Sequence, residues 1–218
     1  MPLVKGRVMP ILLMLVFALS RIPGLLPTNF SAVYALMFCA GVFFSGTLAW
    51  WLPLVTLLVT DVALNFYYQS LGFDVWTARK IVYLVCNYGA YLVLIWLGRR
   101  FKPKSSFAAL LGGGILGAFL FYLITNTASW LFNPFGNPEY TRDFIGWLKA
   151  ITIGTAGWPQ AWEFFRNTLL SGGLFTGLFV GAMKLTAEES PQEKEGGVRE
   201  PEAAPEAEPA AEPEEAKT

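Results

Sequence analysis

The sequence predicts an all-α membrane protein, a six-transmembrane-helix bundle over residues 1–186 followed by a disordered acidic tail over residues 187–218. Composition is the first reason. Hydrophobic residues make up 54% of the chain and mean hydropathy is +0.46, although a polar tail dilutes both. A soluble domain of this size needs more surface charge. The second reason is that apolar runs of near-spanning length recur six times. The third is the placement of charge. A formal net charge of zero hides 13 basic residues against five acids before residue 187, and 11 glutamates against three basic residues after it. The body is therefore +8 and the tail −8.

The first apolar run covers residues 7–20, behind Lys5 and Arg7. Ala18-Leu19-Ser20 would serve as a signal-peptide cleavage site, but Arg21 and the Ile22-Pro23-Gly24 turn read as an ordinary helix exit, so a retained helix is expected. Runs two and three, residues 31–45 and 47–66, are nearly contiguous. Runs four to six cover residues 81–97, 107–132 and 164–185. Between runs four and five stand Arg99, Arg100, Lys102 and Lys104 with no acid among them. The positive-inside rule puts that loop, and with it both termini, in the cytoplasm of a bacterial inner-membrane protein. The loop over residues 133–163 then lies outside. Phe144, Leu148 and Ile151 would share one face of a short interfacial helix there, with Trp147 and Trp158 as anchors and a lid as its further use. The tail repeats Pro, Glu and Ala, holds no aromatic residue, and cannot bury enough surface to fold.

Several function classes drop out. The chain has no histidine, which removes Ser-His-Asp and Cys-His catalysis and every His-based metal site. Cys39 and Cys86 lie in separate apolar runs and read as small hydrophobes. Gly112-Gly113-Gly114 lacks the Lys-Ser/Thr ending of a phosphate loop, and no basic patch interleaved with aromatics points to nucleic acid. Neither an enzymatic activity nor a cofactor is expected.

Polar groups at membrane depth are costly and demand partners. Asp61 and Asn65 fall one turn apart in the outer part of run three. Asn87 is two turns into run four, Asn126 and Trp130 stand near the outer end of run five, and Arg166 and Asn167 open run six. Thr28 and Asn29 lie in the first outer connection. Structural alternatives stay open for each. Asp61 and Arg166 equally fit a salt bridge, the asparagines fit helix–helix hydrogen bonds, and Trp130 fits an interfacial belt. Their shared depth, however, suits a pocket open to the outer face. Gly173, Gly177 and Gly181, with Gly113 and Gly117, form small-residue stripes expected to pack helices closely.

Four stretches then carry a family resemblance: 27–33 (PTNFSAV), Thr60-Asp61, Thr125-Asn126 and 164–170 (FFRNTLL). With the six-run layout, they make the chain resemble the substrate-binding S components of energy-coupling factor (ECF) transporters, and more closely an uncharacterised bacterial membrane family of that type. The resemblance implies a six-helix bundle with both termini cytoplasmic and an outward site for a vitamin-like small molecule closed by outer loops. It also implies, as partners, a membrane coupling subunit and two ATPases that topple the S component in the bilayer. The first run departs from the family's Ala-x-x-x-Ala docking motif, offering only Ala18. Asn29, Asp61, Asn65, Asn126, Trp130, Arg166 and Asn167 are the expected solute-binding residues.

Overall fold

The structure, a computed structural model, describes residues 2–188, with side chains described over residues 11–186. Seven α-helices and no strand are found among them: α1 (Pro2–Ser20), α2 (Val33–Phe43), α3 (Leu48–Ser70), α4 (Ala78–Gly98), α5 (Phe107–Phe132), α6 (Phe144–Thr152) and α7 (Ala161–Glu188). Apart from Ala187 and Glu188, which prolong α7, the expected disordered tail lies outside the described residues.

Four helices, α3, α4, α5 and α7, are long and apolar enough to cross a bilayer. Their outward faces carry Trp51, Val59, Val85, Leu116 and Leu170, all exposed. Such a surface is stable against acyl chains and would aggregate in water. The protein is a multi-pass membrane protein whose helices meet lipid.

The expectation of six membrane-spanning helices is corrected to four such helices among the described residues, and α2 shows why. At 11 residues it is about 16 Å long, roughly half a hydrocarbon core. Every residue from Val33 to Val42 is buried and only the terminal Phe43 is partly exposed, so α2 is enclosed by protein along almost its whole length. It is apolar all round because it is surrounded, lying among α4, α5 and α7 with α1 and α3 alongside. The apolar run that predicted a span is the signature of a central core helix.

Close backbone approach holds this core. A Cβ on Gly41 of α2 would collide with the Ile95 carbonyl of α4, and one on Gly98 with the Phe38 carbonyl of α2. Between α5 and α7, Gly114 faces Thr176 and Gly172 faces Ala118. Helix ends are set locally. The Ser106 side chain accepts from the Ala109 N–H at 3.2 Å to start α5, and Asn133 ends it in the left-handed conformation (φ 39°). Asp143 caps α6 by accepting from the Gly146 N–H at 2.7 Å.

Candidate functional site

The shortness of α2 creates the site. α4, α5 and α7 run on past the N-terminus of α2, and the space above it is a cavity of about 840 Å³. That size falls within the usual range for small-molecule pockets. The aromatic rings of Tyr34, Tyr91 and Phe121 line it in one cluster: Tyr91 stacks on Phe121 with centroids 4.7 Å apart, and Tyr34 packs against Phe121 at 4.9 Å with its ring tilted by 54°. One wall carries Tyr83, Asn87 and Tyr91 of α4, and another Phe121, Thr125 and Ser129 of α5. Each set repeats every four residues, which brings its members to one helix face. Leu64 and Tyr68 of α3, Phe164 and Thr168 of α7, and the connection between α1 and α2 complete the circuit.

That connection is fixed at both ends. The Ala32 N–H donates to Ser20 Oγ at 3.1 Å, and Asn167 Nδ2 donates to the Thr28 carbonyl at 3.0 Å. Asn29 between them has φ 59°, a left-handed backbone that asparagine tolerates better than most residues. Such strain persists only where the surroundings impose it.

The segments flanking α6 fold over the cavity and contribute Phe135, Asn137, Tyr140, Thr155 and Trp158 to its lining. Three ties hold them. Tyr122 on α5 directs its hydroxyl at the carbonyls of Ile151 (3.0 Å) and Ala161 (2.9 Å), on either side of the second segment. Trp147 of α6 donates to Thr127 Oγ1 of α5 at 3.0 Å. Glu139 joins the two segments, accepting from the Thr155 hydroxyl at 2.7 Å and the Ala156 N–H at 3.0 Å. The Ala156 bond, followed by the Thr155 bond, holds the Glu139 carboxyl below the usual glutamate range. Burial, and secondarily the adjacent Glu139 charge, pushes the Tyr140 phenol up, so it stays neutral.

At the cavity's edge Arg21 pairs with Asp61, and the Tyr88 hydroxyl donates to the other Asp61 oxygen at 2.9 Å. The side chains of Arg21 and Asp61 are only 16% and 12% exposed. One carboxylate thus joins the end of α1 to α3 and α4.

The seven expected solute-binding residues separate into groups. Asn29 and Asn126 line the cavity, and Asn126 Nδ2 also donates to the Tyr122 carbonyl at 2.9 Å. Asp61 stands behind the lining, bonded to a residue that belongs to it. Trp130 donates to the Thr141 carbonyl at 2.7 Å and so holds the segment leading into α6. Asn167 ties down the α1–α2 connection. Arg166 lies over the Trp162 ring, 5.3 Å from its centroid, and not against Asp61. Asn65 is half-buried on α3 outside the lining. Sequence reasoning did not select the tyrosines or Arg21 as lining. The four-residue repeats Tyr83-Asn87-Tyr91 and Phe121-Thr125-Ser129 were the signal that could have found two walls.

The chain belongs to a family of unknown function (DUF6580), whose model matches residues 4–193. No curated protein and no solved structure matches it. The family assignment brings no activity with it, and the likeness to S components rests on the motifs quoted above.

Proposed function

We propose that this chain is a solute-binding membrane subunit for uptake of a micronutrient-like small molecule, energised by a separate coupling subunit and its ATPases. The observation that carries this reading is the 840 Å³ cavity at one end of the bundle, roofed by loops that are hydrogen-bonded to the walls. A pocket of that size beneath a cover of loops suits capture and sequestration of a small molecule. The basic loop at the opposite end of α4 supports an inner-membrane orientation with the cavity outward and both termini cytoplasmic. On this reading α1, about 28 Å long, and the enclosed α2 complete an S-component-like six-helix arrangement.

Protein purified from its own membranes should release a small molecule on denaturation, and should carry a coupling subunit in native mass spectra. If neither is found, the proposal is wrong. A second reading, a stand-alone proton-coupled carrier, draws on the Arg21–Asp61–Tyr88 cluster, which places a carboxylate beside the cavity. It predicts uptake by vesicles that contain no ATPase, with loss when the proton gradient is collapsed.

A further inference from the structure

The lining has an electrostatic character that sharpens the solute-binding reading, and the inference depends on that reading. Eleven of the 33 residues around the cavity are aromatic, four are asparagines, and only Arg21 carries a charge. Asp61 neutralises Arg21 from behind. Two of the three buried side-chain polar atoms without a partner among the described residues belong to this lining: the Arg21 Nε donor and the Asn87 Oδ1 acceptor. Both are enclosed by neighbouring atoms and left with unused hydrogen-bonding capacity beside the cavity.

We infer that the cavity takes a neutral, planar aromatic compound bearing a carboxamide- or lactam-type edge. An ionised solute here would give up its hydration in a low-dielectric site that holds no uncompensated countercharge. A flat ring instead stacks against the Tyr34, Tyr91 and Phe121 cluster. An amide edge presents both an acceptor and a donor, which matches the asparagines Asn87 and Asn126 and the guanidinium N–H of Arg21. A zwitterionic solute finds no free pair of charges here, since Asp61 is paired with Arg21 and Arg166 lies over Trp162.

An isosteric probe series tests this on the full-length protein in nanodiscs: 2-naphthamide, 2-naphthoate and 2-naphthamidine share a ring and differ in charge. Quenching of tryptophan fluorescence, with Trp158 in the lining, reports binding. The neutral amide should bind at least about tenfold more tightly than either ion. In Asn87→Asp the amidine should become the preferred probe. In Asp61→Asn, which frees the Arg21 charge, naphthoate should gain about tenfold. The two variants place charge at different points of the site, so one that fails to fold does not remove the test. Preference of the unaltered protein for either ion overturns the inferred ligand class while leaving solute binding intact. Binding of none of the three overturns it too, and the solute-binding reading then stands or falls on the small molecule released from the native protein.

Discussion

Asp61 shows how much a single residue reveals and how much it withholds. A carboxylate in an apolar helix announces that it needs a partner, because an isolated charge there is expensive. The sequence could not choose that partner, since Arg21 is 40 positions away and Arg166 stands at a similar depth. The pair is nearly buried, so breaking it from one side should be costly. Asp61→Leu should lower stability by about 3 kcal/mol, read as a fall in melting temperature in detergent. Adding Arg21→Met removes the stranded cation, and the double variant should recover most of the loss. Glu139 gives a pH prediction. Its pKa is depressed in the folded protein, so its bonds stabilise the loops above the ordinary glutamate value of 4.5 and are lost as pH falls below it. Amide exchange at Ala156, corrected for intrinsic rate, should accelerate over that window, and Glu139→Gln should flatten the dependence.

At the level of helices, hydrophobic runs located most elements. The apolar run over residues 107–132 coincides with α5, and the short helix expected at residues 144–151 is α6 (Phe144–Thr152). The runs failed at α2 because a helix buried in protein and one facing lipid have the same apolar composition; only length separates them, and residues 31–45 overstated it. The glycine stripes were also only half legible. Gly173 and Gly177 meet Ile115 and Phe107 side chains at ordinary distances, and Gly181 has nothing within 4 Å. Gly114 and Gly172 make the close α5–α7 approach instead. A one-residue step turns a helix by about 100°, enough to move the contact to another face. Gly41→Ala should therefore destabilise by about 1–3 kcal/mol, since the added methyl meets backbone. Gly181→Ala should be neutral or slightly stabilising in the same melting assay, as alanine favours the helix.

For the molecule as a whole, the amide and carboxylate side chains carried by the apolar helices gather toward one end of the bundle, and that end holds the cavity. Its walls, Arg21–Asp61 edge and Glu139-tied cover all lie within the bundle and its loops, upstream of the tail. A chain ending after Glu188 should then bind a cavity ligand within about twofold of the full-length protein, as measured by tryptophan quenching. By itself the sequence determined that the chain is helical, that it lives in a bilayer, and that its polar groups segregate by depth. Those properties follow from composition and from the cost of polar atoms in lipid, which each run of residues reports locally. Only the tertiary structure decided that α2 stops short, that the space above it is lined by tyrosines and asparagines, and that Arg21 and not Arg166 answers Asp61. Each of those depends on which faces of distant helices meet, and the packing of the assembled bundle settles that.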